Sequence, residues 1–420
     1  MGVLTESRTT PATAWWREVG RTEWRALGAA AAGWMLDAMD VMLYAFALGH
    51  IREEFGLTAA AAGALASVTL LSSAVGGIGF GLLADRYGRA RMLRVAILTY
   101  SIFTAMTATA GSVTALIVWR TLVGFGLGGE WSAGSVLVAE TWPARHRGKA
   151  VGIMQSGWAI GYILAAGLAA VVIPPFGWRP LFVLGLLPSL LVLYIRRHVP
   201  EPAQWRPASG SSAGLTASLR QLVGPRLRSR TLVATALATC LMFAYWGLFT
   251  WVPAFLASPV EQGGAGMGVV RSSGWIVPMQ LGALAGYLSF GFLADRFGRR
   301  PVFLAFVLGA AVLVPVYGGA ARLPTVLLLL GPLIGFFGHG YFSLFGAMLA
   351  ELYPTAIRAT GQGLCYNLGR AVSALAPYTI GAIADARGLG AALGFTSLFF
   401  LLAGVLIFGL PETRGAELED

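Results

Sequence analysis

A nine-residue string occurs twice in this chain, about half a chain apart. The first copy is Gly81-Leu82-Leu83-Ala84-Asp85-Arg86-Tyr87-Gly88-Arg89, and the second is Gly291-Phe292-Leu293-Ala294-Asp295-Arg296-Phe297-Gly298-Arg299. Each interrupts a long apolar stretch. A second set recurs at nearly the same offset: Glu140, Pro143, Arg147 and Gly152 return as Glu351, Pro354, Arg358 and Gly363. A repeat of about 210 residues is too long for one unit of a solenoid. It fits a duplicated membrane bundle, the plan of many carriers built from two similar halves.

Composition names the solvent. Of 420 residues, 56% are hydrophobic and 12% charged, whereas a soluble domain carries about 25% charged residues. A surface made from this chain would be too apolar for water, so a bilayer is expected. The net charge of +11 could suggest nucleic acid, but the cations fall in short loops between apolar segments, where anionic lipid is the better partner. Cys240 and Cys365 lie inside apolar segments and read as packing thiols. The charged opening residues, among them Glu6, Arg8 and Arg17, are not the pattern of a cleavable signal peptide.

A spanning helix needs about 20 mostly apolar residues. Twelve such segments are expected, near 26–50, 58–84, 92–110, 113–140, 148–173 and 179–196, then near 230–257, 271–294, 301–320, 324–351, 357–384 and 389–410. The Pro- and Ser-rich stretch 198–229 reads as a linker between a six-helix bundle over 1–197 and another over 230–420. Loops after the even-numbered segments carry clusters such as Arg86, Arg89, Arg91 and Arg94, or Arg296, Arg299 and Arg300. The alternate loops hold only Arg52, Arg179, Arg271, Arg322 and Arg387. The positive-inside rule then puts both termini and the linker in the cytoplasm of a cell whose plasma or inner membrane holds the protein.

These residues resemble the major facilitator superfamily over essentially the whole chain. Its signature loop, G-x-x-x-D-R-x-G-R, is the duplicated string. Arg120-Thr121-Leu122-Val123-Gly124-Phe125-Gly126-Leu127-Gly128 resembles its R-x-x-x-G-x-G-x-G motif. Pro200-Glu201-Pro202 after the sixth segment and Pro411-Glu412-Thr413-Arg414-Gly415 after the twelfth are similar to signatures of the sugar-porter and metabolite–proton symporter branches. Leu36-Asp37-Ala38-Met39-Asp40 and Tyr366-Asn367-Leu368-Gly369-Arg370 resemble bacterial organic-acid–proton symporters of the sialate and lactate type, and aromatic-acid and nicotinate carriers share that first-helix pattern. The resemblance implies an all-α integral membrane protein of twelve transmembrane helices in two pseudosymmetric six-helix bundles. It implies a monomer with its site between the bundles and no cofactor beyond the coupling proton. The fifth segment lacks the Gly-Pro pair usual in drug–proton antiporters, which disfavours export.

The duplicated loop also has a mechanical reading. Gly81 and Gly291 would let a neighbouring helix approach. Asp85 and Asp295 would accept from orphan amides at a facing helix N-terminus. Arg86, Arg89, Arg296 and Arg299 would bridge to Glu140 and Glu351, with Arg147 and Arg358 alongside, to latch one side shut. The plainer reading is that the arginines only orient the loops.

Ionisable residues at bilayer depth are costly and usually face a cavity or a partner. Asp37 and Asp40 lie three apart on one helix, hence on adjacent positions of one face. Desolvation and mutual repulsion penalise charging both, so one could bind a proton near neutral pH. Together with Arg120 and Glu130 of the fourth segment they form the expected proton-coupling set; alternatively, Asp37 or Asp40 forms a structural bridge to Arg120. Arg370 sits midway along the eleventh segment, with Asn367 one turn before it. Its planar fork suits a carboxylate cargo, unless an acid on another helix pairs with it. His339, Tyr341, Gln155, Trp158, Gln280 and Trp246 are the further candidates for a cavity lining. No metal cluster, nucleophile constellation or nucleotide loop is present in the sequence, so an enzyme is not expected. The expectation is proton-coupled uptake of a small organic anion, a monocarboxylate such as lactate or a sialate-like acid. An aromatic acid, nicotinate, a sugar or an exported drug are the alternatives within the fold, and a non-transporting membrane receptor is the alternative outside it.

Overall fold

The computed structural model describes residues 18–198, 217, 219–343, 348–349, 352–354 and 357–412. The first half holds α1 (Arg21–Phe55), α2 (Ala59–Tyr87), α3 (Arg89–Thr107), α4 (Val113–Thr141), α5 (Ala144–Phe176), α6 (Trp178–Val183) and α7 (Pro188–His198). The second holds α8 (Arg228–Phe249), α9 (Val252–Ala257), α10 (Gly268–Phe297), α11 (Arg299–Gly319), α12 (Pro324–His339), α13 (Arg358–Ser373), α14 (Ala376–Arg387) and α15 (Leu389–Leu406). These make twelve spans, because α6–α7, α8–α9 and α13–α14 are each one segment broken in the middle. Prolines mark the breaks: Pro188 opens α7, and Pro253 and Pro377 sit at the starts of α9 and α14. A proline lacks the amide that would continue the previous helix but fits a first turn. The sequence pattern showed these three spans as continuous.

Eight stretches, among the described residues, are long and apolar enough to cross a bilayer by length and composition. Phe292, Val171 and Val405 are largely exposed on the outer surface, an arrangement suited to lipid. Within each half the same pairs meet: α2 packs on α4 as α10 packs on α12. The halves meet along α5 with α10, and α2 with α14, again a symmetric pair. The glycines of α4 serve close packing. Gly124 and Gly128 face the Thr69 and Ser73 carbonyls of α2, a contact that a side chain would block.

The duplicated loops differ from expectation at one point. No described atom lies within 4 Å of where a Cβ would stand on Gly81 or Gly291, so those glycines do not mediate close packing among the described residues. The required glycines are Gly88 and Gly298, which link α2 to α3 and α10 to α11 with φ 106° and 103°. At ψ 146° and 154° that backbone region is open almost only to glycine. Arg86 and Arg296 lie over the rings of Tyr87 and Phe297, at 5.4 and 5.3 Å. The side chains of Asp85, Arg89, Glu140, Arg147, Asp295 and Arg358, the whole of Glu351, and the linker from 199 to 216 lie outside the described residues. A carboxylate does cap a helix here, but it is Glu412, which accepts from the Arg299 and Arg300 amides at 2.9 Å each. Those amides open α11, where a negative group is favoured.

At the opposite end the halves are tied together. The Asp385 carboxylate of α14 accepts from the Ala59 and Ala60 amides of α2, both at 2.8 Å. The Tyr378 amide donates to Ser67 Oγ at 3.2 Å. Gly63 lies on the Pro377 carbonyl, and Gly381 on that of Ala59. Asp385 is thus a helix cap supplied by the other half. Asp385→Ala should weaken this closure by about 0.5–2 kcal/mol, the usual worth of a cap, so open-end accessibility rises by roughly 2- to 30-fold. Labelling of a single cysteine placed near residue 60 checks this; an unchanged rate would contradict it.

Candidate functional site

Two clusters of buried charge lie where α1, α4 and α13 converge. Asp37, Asp40, Arg120, Glu130 and Arg370 are all nearly inaccessible. The two acids of α1 separate in function because they meet different neighbours.

In the first cluster, Asp40 Oδ2 accepts from Thr104 Oγ1 at 2.7 Å. Arg120 donates from Nε to Thr69 Oγ1 at 3.1 Å, and its guanidinium stands 4.7 Å from the centre of the Tyr44 ring. Tyr44 is held in turn by a 2.8 Å bond to the Ala62 carbonyl. The charges of Asp40 and Arg120 act on one another without a direct ion pair. Of the two aspartates, Asp40 is thus the one set against Arg120, without the direct bridge that the sequence allowed.

In the second cluster, the Glu130 carboxylate packs over Gly33, one turn before Asp37 on α1. Asp37, Glu130 and Arg370 are close enough for their charges to interact. Both oxygens of each acid lack a hydrogen-bond partner, as does Arg370 Nε. Among the described residues the second half supplies no acid to Arg370; the acids reach it across the gap between the halves. Such a pairing cannot be read from either half alone.

A small cavity lies between the clusters. Tyr44, Thr69 and Arg120 line it from the first half, and Trp246, Thr250 and Arg370 from the second. Both arginines thus border one space.

His339 belongs elsewhere. Its Nδ1 is 3.1 Å from the Gly335 carbonyl, and its Nε2 is 3.4 Å from the Tyr245 hydroxyl, which the Trp158 indole also contacts. A carbonyl only accepts and an indole N–H only donates. The order is therefore fixed: Trp158 donates to Tyr245, Tyr245 to His339, and His339 to Gly335. This chain joins α5 of one half to α8 and α12 of the other.

Of the expected lining, only Trp246 and Arg370 reach the cavity. Asn367 turns back to the Gly363 carbonyl of its own helix at 2.9 Å. Gln280 and Tyr341 are buried away from the cavity, with the Gln280 amide atoms and the Tyr341 hydroxyl unpaired. Gln155 is half-buried on α5. Sequence reasoning missed Tyr44, Thr69, Thr104 and Gly33. The spacing from Asp40 to Tyr44 and from Gly33 to Asp37, one helical turn each, was the only available signal.

The comparisons agree with this architecture. The family model for the Major Facilitator Superfamily matches residues 30–289 and 270–419. Among the relatives, the cis,cis-muconate transport protein of Acinetobacter baylyi is 32% identical, with 89% of this chain and 90% of that protein covered. The sialic acid transporter NanX of Escherichia coli is 31% identical, covering 95% and 97%. The xylose transporter XylE of E. coli, solved in a partially occluded inward-open conformation, superposes with TM-score 0.75 at 19% identity, covering 95% of this chain and all of that one. A twelve-span transporter fold with two matched halves, a buried charge cluster between them and family-wide sequence similarity leads to one assignment: the chain belongs to the Major Facilitator Superfamily.

Proposed function

We propose that this transporter is a proton-coupled symporter of a small organic monocarboxylate, working by alternating access as a monomer in the plasma or inner membrane. Both termini then lie in the cytoplasm, and the end tied by Asp385 faces outward. The observation that carries the reading is the pairing of Arg370 with Asp37 and Glu130 across the gap between the halves. An arginine that borders a cavity, with no direct ion pair, offers its fork to a carboxylate. Acids beside it make that offer depend on protons. Relatives named for muconate and sialic acid support an organic-acid cargo. Tyr44 and Trp246 give the cavity two aromatic walls, which favours a flat, unsaturated or ring-bearing acid over lactate.

The test is uptake into proteoliposomes of lactate, sialate, cis,cis-muconate and nicotinate, each with and without an inward proton gradient. Accumulation of at least one acid that collapses with a protonophore is expected. Equal uptake with and without the gradient would overturn the symport reading.

A further inference from the structure

Asp37 and Glu130 place four buried carboxylate oxygens without a hydrogen-bond donor beside one arginine, Arg370. Two bare carboxylates cannot stand so. Each lacks the donors that offset lost hydration, and one guanidinium cannot balance two negative charges. A single proton answers both demands. Bound to one carboxyl and donated to the other, it makes the missing hydrogen bond. It also leaves one negative charge against one positive. The neighbouring cluster differs in its count, one acid against one arginine, with Asp40 Oδ2 accepting from Thr104, although Asp40 Oδ1 and Arg120 Nη1 have no partner.

The other groups nearby do not change the count. The Tyr100 hydroxyl, buried and unpaired, faces the acids from α3, and Tyr366 lies beside Arg370 and Asp37 on α13. Both are phenols, neutral in ordinary conditions. His339 is engaged by Gly335 and Tyr245. Among the described residues, the charges at this depth are therefore three acids and two arginines.

Resting on the symport reading above, we propose that Asp37 and Glu130 share one resident proton in the empty carrier, and that cargo entry brings exactly one more to the same pair. When a carboxylate binds Arg370, it replaces the acid pair as counter-charge. The remaining ionised acid is then unbalanced, and it takes a proton from the side open to solvent. Loaded, the site holds two protonated acids, one arginine and one anion, with no net charge. Empty, it holds one protonated acid, one ionised acid and one arginine, again with no net charge. On release the cargo leaves with one proton. Asp40 and Arg120 stay charged throughout. One proton crosses per monoanion, and the cycle moves no net charge.

Two measurements test this. Infrared spectra of the empty protein at neutral pH should show the carbonyl stretch of a protonated carboxyl. Glu130→Gln and Asp37→Asn should each remove it, and Asp40→Asn should keep it. In proteoliposomes, uptake of the monoanions nicotinate, sialate or lactate, whichever is carried, should be unchanged when a potassium diffusion potential is imposed, with one proton taken up per anion. Absence of the band in the empty wild-type protein would overturn the resident proton, as would its survival in both pair variants. Uptake accelerated by an inside-negative potential would overturn the stoichiometry. If none of the acids is driven by a proton gradient, the symport reading itself fails, and the infrared band still decides whether the proton is there. Should one pair variant fail to fold, the other pair variant and Asp40→Asn carry the assignment of the band.

Discussion

Arg370→Gln should lower cargo affinity by roughly 10- to 150-fold. A hydrogen bond to a charged group is worth about 1.5–3 kcal/mol, and that range converts to this fold-change. Glutamine keeps the length and one donor but loses the charge and the fork. Arg370→Lys keeps the charge and should recover only part of the affinity, because an ammonium cannot make two parallel bonds to a carboxylate. The substitution also removes the Arg370 charge that faces Asp37 and Glu130, so both should take protons and the site should remain neutral. Folding is therefore expected to survive while cargo recognition is lost. Ligand-induced thermal shift of the purified protein separates the two effects, since a ligand bound to the folded state must raise its melting temperature. A shift in Arg370→Gln equal to that of the wild type would remove Arg370 from the cargo site.

The second large effect should come from Gly63→Leu. A Cβ at this position would stand 2.7 Å from the Pro377 carbonyl carbon and 3.0 Å from Tyr378 Cα. These are backbone atoms of the opposite half, and they cannot swing aside as a side chain would. Overpacking in a core that can adjust costs about 1–3 kcal/mol; between two backbones the upper part of that range is the relevant one. The closed state at this end should lose roughly 30- to 150-fold in population relative to the open one. Net uptake should fall to background, a cysteine near residue 60 should label freely, and cargo should still bind from that side. Gly63→Ala should produce the same changes to a lesser degree. Normal uptake by Gly63→Leu would mean that the contact at Pro377 is not part of the transport cycle.

The sequence carried the large-scale plan because membrane spans are written in long, simple patterns. Twelve apolar stretches, cations in alternate loops and a string repeated in both halves are each visible without coordinates. The glycine run of α4 and the depth of Asp37, Asp40, Arg120, Glu130 and Arg370 were visible for the same reason. What stayed hidden depends on rotation about helix axes and on contacts between halves. Asp37 and Asp40 are three residues apart, yet one faces Glu130 and the other Thr104. Arg370 finds its acids on helices more than two hundred residues earlier, and nothing in its own half announces them. His339 looked available beside Tyr341, but its ring is held on both nitrogens. Packing was expected of Gly81 and Gly291, whereas the constraint is the backbone angle at Gly88 and Gly298.

The clasp between Glu412 and the start of α11 has a consequence for biogenesis. Translation produces the Arg299 and Arg300 amides four spans before the carboxylate that satisfies them. Until the twelfth span has been threaded into the membrane, that helix start depends on water or lipid headgroups for its bonds. Maturation of the second bundle is thus set by the arrival of its final span.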